Sequence, residues 1–155
     1  MSDAAPTTPT QLDARELRAW RGMLQVHAAV TRELDAQMHR EHRLSVSAYE
    51  VLMFLADTED HRLRMAEIAD RVLLSRSGLT RLVDRLVALG YVVRNACVDD
   101  GRGSYAELTP AGLEKLAAAR QTHLEGVRRF FLDRLSAEDQ AALGDAWDRV
   151  LGNGA

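Results

Sequence analysis

The sequence predicts a mainly α-helical protein with a small β-wing, and three observations support this. An apolar stripe with heptad-like spacing runs through residues 11–43 and predicts a long helix. Two amphipathic segments, 65–72 and 76–90, are separated by about three residues, which is typical of a helix-turn-helix. The alternating segments 91–98 and 104–108 then predict a two-stranded hairpin, the wing.

The N-terminal part combines a tail and the long helix. Residues 1–10 are small, polar and contain proline, so they are predicted to be a disordered tail. The helix over 11–43 is too long for a small domain to cover, and we therefore expect its stripe to pack against a partner chain. The stripe comprises Leu17, Trp20, Leu24, His27, Thr31, Leu34 and Met38.

Three later helices have recognisable starts. The segments SAYE (47–50) and SAED (136–139) both fit the capping box, in which a hydroxyl and a carboxylate bind free backbone N–H groups. In LTPAG, Thr109 is the predicted N-cap and Pro110 the first helical residue. These starts predict helices over 47–57, 110–133 and 137–151.

The second helix of the helix-turn-helix has two different faces. Its predicted buried face is formed by Leu79, Leu82, Val83, Leu86 and Leu89. The opposite face carries Arg76, Ser77, Thr80, Arg81 and Asp84. Guanidinium groups match guanine edges or phosphates, and hydroxyls reach either, so this face is suited to a DNA groove.

The charge distribution agrees with a local DNA site. Although the chain carries a net charge of −3, residues 61–105 hold eight arginines and five acidic residues. The remainder is correspondingly acidic, so one basic segment lies in an otherwise repelling protein. Within that segment Arg102 stands between Gly101 and Gly103, at the predicted wing tip, where it is placed to enter a minor groove.

Other classes of protein are disfavoured. We find no nucleotide-binding glycine loop and no G-x-S-x-G motif, so neither enzyme activity nor a cofactor is predicted. The single cysteine, Cys97, excludes an internal disulfide and fits a reducing compartment. Because no long apolar run or signal-peptide pattern exists, we expect a cytoplasmic protein without a membrane partner.

The motifs LRMAEIADRVLLSRSGLTRLVDRLVALGYVVR (63–94) and DDGRGSYAELTPAG (99–112), in this order, resemble the MarR family of winged helix-turn-helix transcriptional regulators. The resemblance covers about residues 12–151. It implies an obligate homodimer, in which the first helix and the last two helices interlock. It also implies that the dimer recognises a pseudo-palindromic operator, usually as a repressor. Together with the predicted tail 1–10, the resemblance divides the chain into a helical dimerisation region of 11–45 with 110–155 and a DNA-binding domain of 46–109.

The resemblance also implies which residues contact double-stranded DNA. The start of the family's recognition helix matches Ser75, Arg76, Ser77, Thr80 and Arg81. Asp100 and Arg102 match the wing motif, and Arg94 matches a phosphate-contacting position at the base of the wing. Where many relatives have two adjacent arginines after the aspartate, this chain has Gly101 and Arg102, so its wing is expected to use one arginine.

Many relatives bind a small aromatic or anionic effector between the dimer helices and the winged helix. The residues expected to line such a cleft are Trp20, Met23, His27, Tyr49, Met53 and Phe54. A zinc-responsive regulator is an alternative raised by His39, Glu41 and His42, but no further ligand has a recognisable spacing, and a solvated helix end is expected instead. A winged helix used only for protein interaction is the other alternative.

Overall fold

The computed structural model describes residues 11–72, 74–96 and 103–153; the predicted tail, 1–10, lies outside them. A single 3₁₀ turn, Leu132–Arg134, separates the last two helices. The helices and strands follow in the order α1 (Ala14–His42), α2 (Val46–Ala56), β1 (Arg62–Arg64), α3 (Met65–Arg71), α4 (Arg76–Ala88), β2 (Val92–Ala96), β3 (Ser104–Leu108), α5 (Pro110–Phe130) and α6 (Ala137–Leu151). The predicted mainly helical class with a small β-wing is confirmed.

Most helix starts are those predicted from local signals. Ser136 and Asp139 form the predicted capping box of α6, and Thr109 caps α5 by accepting a hydrogen bond from the Gly112 backbone N–H. The capping box predicted for residues 47–50 is wrong. The N-cap of α2 is Ser45, whose hydroxyl accepts from the Ala48 backbone N–H at 3.1 Å.

The sheet has three antiparallel strands in the order β1-β3-β2, whereas the sequence predicted only two. In the added strand, Leu63 lies opposite Ala106, and both side chains are buried. The strand was missed because three residues, Arg-Leu-Arg, are too few to show a periodicity. This strand anchors the wing to the helix-turn-helix.

The core lies between α2, α4 and the sheet. Val51, Leu52 and Leu55 of α2 are fully buried. Of the predicted buried face of α4, Leu79, Val83 and Leu86 are buried and Leu82 is half-buried. Leu89 is 47% exposed, against the prediction, because it is the C-cap and lies beyond the last helical turn.

The helices α1 and α5 pack against each other in antiparallel orientation, and both also contact α2. A Cβ atom at Gly126 would lie 2.6 Å from Leu34 Cδ2 and 3.0 Å from Gln37 Oε1, so the ends of these two side chains would have to shift to admit a larger residue. The N-terminal half of α1 and the C-terminal end of α6 leave large apolar side chains exposed in the single chain. These include Trp20 (54% exposed), Leu24 (47%), Val150 (75%) and Leu151 (70%).

Candidate nucleic-acid interface

The N-terminal half of α4 presents a polar face to solvent. Arg76, Ser77 and Arg81 are exposed. Across residues 11–72, 74–96 and 103–153, neither arginine side chain has an ion pair or a hydrogen bond to another described residue. The two guanidinium groups therefore have their donors available for a partner outside the chain.

The hydroxyl groups of this face are partly used within the helix. Ser75 is the N-cap: its Oγ accepts from the Gly78 backbone N–H at 3.1 Å and lies 3.2 Å from Ser77 Oγ. Thr80 is half-buried and donates to the Arg76 carbonyl oxygen at 3.0 Å. Of the predicted contact residues on α4, the arginines are thus the freest donors, while Ser75 first serves to start the helix.

Arg94 joins the wing to α4. Its Nη1 lies 2.9 Å from Asp84 Oδ1, and its Nε donates to Ser104 Oγ at 3.2 Å. The sequence placed Asp84 on the polar face of α4 but gave no sign that it pairs with Arg94. Because the Arg94 side chain is still 36% exposed, it can hold the wing against α4 and also face a phosphate.

The predicted wing tip lies outside the described part of the chain. Asp100 and Arg102, like Cys97, lie outside the described residues, and their predicted roles stay predictions. The described strands pair as far as Ala96 opposite Ser104. Arg102 therefore belongs to the segment that connects these two paired residues.

Sequence reasoning missed an aromatic contact on the outer face of the sheet. The guanidinium carbons of Arg62 and Arg64 lie 5.2 and 5.4 Å from the centre of the Tyr105 ring. Arg64 Nε also donates to the Tyr105 hydroxyl at 3.2 Å. Since Arg64 and Tyr105 are 41 residues apart, only the strand register brings them together.

The six predicted effector residues lie in different surroundings in the single chain. On α1, Trp20 and His27 are exposed and Met23 is half-buried; on α2, Tyr49 is buried, and Met53 and Phe54 pack against the core. A separate apolar groove of about 230 Å³ lies between α1 and the end of α5. It is lined by Val26, Ala29, Val30, Glu33, Phe130, Phe131, Arg134 and Leu135. Effector contact by the six residues stays a prediction.

The C-terminal end of α1 contacts α5, whereas the sequence predicted a solvated helix end. His42 is half-buried, and its Nε2 lies 2.8 Å from Thr122 Oγ1 on α5. Among the residues that the structure describes, no three of His, Cys, Asp and Glu are grouped so as to hold a metal ion. His39 stays exposed.

His123, next to Thr122, stacks on Tyr49 with ring centres 4.4 Å apart, and burial lowers its pKa below 6.5. The unfolded chain therefore binds a proton at a higher pH than the folded one. We expect the free energy of unfolding to fall, through His123, as the pH drops from about 7 to about 5.5.

Denaturant titrations across this pH range, on the native chain and on His123→Phe, measure the effect. Phenylalanine retains a ring against Tyr49 but binds no proton. Burial also raises the pKa of Glu50, which contributes with the opposite sign, but this contribution cancels in the difference between the two chains. Parallel pH curves for the two proteins would contradict the prediction.

Comparison with known proteins gives the family. Residues 44–103 match the MarR family model. Sco3205, a MarR family transcriptional regulator from Streptomyces coelicolor solved in complex with DNA, is 34% identical, with 95% of this chain and 92% of that chain covered and a TM-score of 0.86. AbsC, a MarR family transcriptional regulator from the same organism, is 32% identical, with 94% and 97% covered and a TM-score of 0.83.

The chain belongs to the MarR family. Among curated relatives, the HTH-type transcriptional repressor YetL of Bacillus subtilis (strain 168) is 31% identical over 110 residues, covering 69% of this chain. That alignment spans 66% of YetL, slightly less than two thirds of its length.

Membership of the MarR family confirms two predictions made from the sequence. The chain is a DNA-binding transcriptional regulator with the winged helix-turn-helix fold, and it is not an enzyme. A separate finding concerns membranes: no helix in the described part of the chain has both the length and the hydrophobicity needed to cross one.

Proposed function

We propose that this MarR family protein is a cytoplasmic homodimer that represses transcription by binding a pseudo-palindromic operator. The observation that carries the proposal is the exposed N-terminal half of α4, where Arg76 and Arg81 lack a protein partner among the described residues. Each protomer then inserts α4 into a major groove, and Arg102 enters the neighbouring minor groove.

The distribution of charge and of exposed apolar surface indicates which part of the chain binds DNA and which part forms the dimer. The basic segment lies within residues 46–109, which we propose as the DNA-binding domain. The dimerisation region is 11–45 together with 110–155. Its support is the uncovered apolar surface of α1 and α6, of a kind that a stable monomer rarely exposes.

Repression and its release are the finer part of the proposal. Repression is supported by the relative YetL, which is a transcriptional repressor. A small aromatic or anionic effector, bound near Trp20, Met23, His27, Tyr49, Met53 and Phe54, would change the angle between α1 and the winged helix. Such a change would separate the two α4 helices from their half-sites although the effector touches none of the residues that contact bases.

Replacing Leu24 with glutamate tests the dimer. Leu24 is 47% exposed on the stripe of α1, so the single chain tolerates the change, whereas an interface would bury an unpaired charge. We expect the dissociation constant of the dimer to rise about a hundredfold or more, with loss of operator binding. Sedimentation velocity and fluorescence anisotropy on labelled DNA measure the two effects.

Gln25→Glu is the matched control, because it adds the same charge at the adjacent exposed position, about 100° around the helix. A native chain that is monomeric at micromolar concentration would contradict the dimer. A dimer without DNA affinity at low salt would instead indicate a protein-interaction module.

A further inference from the structure

Three helices meet at the end of α1, and each pair is joined by a specific contact. Asp35 Oδ1 of α1 accepts the Val46 backbone N–H of α2 at 2.9 Å. Thr122 of α5 hydrogen-bonds to α1, and the next residue, His123, stacks on Tyr49 of α2. Two consecutive residues of α5 therefore hold the two helices that meet at residues 43–45.

The contact between α1 and α5 is a directed chain of hydrogen bonds. Thr122 Oγ1 donates to Glu41 Oε2 at 3.2 Å, and Gln37 Nε2 donates to Glu41 Oε1 at 3.1 Å. A hydroxyl has one proton, so Thr122 must accept from His42 Nε2, which lies 2.8 Å away. The order His42, Thr122, Glu41 is thus fixed, and a carboxylate at its end strengthens each bond.

This position is the attachment point of the winged-helix domain. The domain connects to the long helices twice, through residues 43–45 and through Thr109 at the start of α5. Thr122 is only 9% exposed and His42 is half-buried, whereas Glu41 lies at the exposed end of the chain of hydrogen bonds. One turn further along α5, Gly126 lies close to the Leu34 side chain of α1. An angle set here is carried along α5 and α2 to the whole domain.

We propose that Thr122 and His123 are positioning residues that fix the angle of the winged-helix domain, and thereby the distance between the two α4 helices of the dimer. This rests on the proposed dimeric DNA-binding function. Neither residue touches DNA; both act through the orientation of α1 and α2.

The test uses the full chain and a palindromic duplex that the native protein selects from a random-sequence pool. Affinity is measured for this duplex, for versions with one or two base pairs added or removed at its centre, and for a single half-site. Thr122→Val removes the hydroxyl at nearly constant shape, and His123→Ala removes the stacked ring. Thr122→Ser and His123→Phe are the matched controls because they retain the hydroxyl and the ring.

We expect Thr122→Val and His123→Ala to bind the single half-site as the native chain does. When one or two base pairs are added or removed at the centre of the duplex, the two variants should lose about three- to tenfold less affinity than the native chain does. This is the effect expected from the loss of one or two hydrogen bonds or contacts. The two control variants should keep the native profile.

A native profile in folded Thr122→Val and His123→Ala would overturn the inference. If Thr122→Val does not fold, Glu41→Ala takes its place, because Glu41 is exposed and its loss also breaks the chain of hydrogen bonds. If the native chain selects no palindrome, the proposed function itself fails, and the inference fails with it.

Discussion

Replacing Arg81 with alanine is expected to reduce specific operator affinity by about 1–3 kcal/mol per half-site. Arg81 is exposed in the first half of α4 and lacks a side-chain partner in the described residues, so the change leaves the fold intact. A bidentate contact to a guanine edge would be lost in both protomers. Discrimination between bases at the contacted position should weaken together with affinity.

Arg85→Ala is the matched control, because it distinguishes the loss of a contact specific to position 81 from the loss of one positive charge. It removes the same charge from the same helix, one turn further along, where Arg85 lines a small cleft together with Leu44 and Ser45. We expect Arg85→Ala to lower affinity for all sequences alike, and to act mainly at low salt. Anisotropy titrations with the selected duplex and with single-base variants measure both effects. Equal base preferences in the native chain and in Arg81→Ala would show that Arg81 does not read the major groove.

Inserting five base pairs at the centre of the operator is expected to abolish specific binding. In a rigid dimer the two α4 helices face half-sites about one helical turn apart, and half a turn rotates one half-site to the opposite side of the duplex. Affinity should fall by about a hundredfold or more, towards the salt-dependent value for unrelated DNA. The same insertion outside the palindrome is the control and should have no effect.

This prediction is tested by measuring affinity at fixed salt for a series of spacer lengths, with and without candidate aromatic acids. An effector that changes the angle of the winged-helix domains should shift the preferred spacer or reduce affinity at every length. Affinity that does not depend on spacer length would mean that the two domains are not rigidly coupled, and release by a change of angle would then be wrong.

Local sequence signals predicted the helices and the exposed polar face of α4. The caps at Thr109 and Ser136 are decided within a few residues, and the apolar spacing in α4 gives Leu79, Val83 and Leu86 their buried positions. Local signals failed where two candidates compete within one turn. Ser47 fits the capping box, but Ser45 is the cap, and the Val46 N–H finds its acceptor in Asp35 on another helix.

Contacts between distant residues could not be predicted from one sequence. Thr122 lies 80 residues from its partner His42, so nothing in either segment indicates the other. The Asp84 to Arg94 ion pair also depends on the packing of β2 against α4. Sequence patterns therefore identified the exposed polar face of α4 but not the contacts between distant residues that surround it.

Selection of DNA from a random-sequence pool tests the central claim most directly. The native chain is expected to enrich a near-palindromic sequence whose half-sites have centres about 10 base pairs apart, since two identical α4 helices are related by a two-fold axis. The Arg81→Ala chain should enrich it weakly and tolerate other bases in both half-sites alike. A selected pool without internal symmetry, or one that both chains enrich equally, would contradict a dimer that reads its operator through α4.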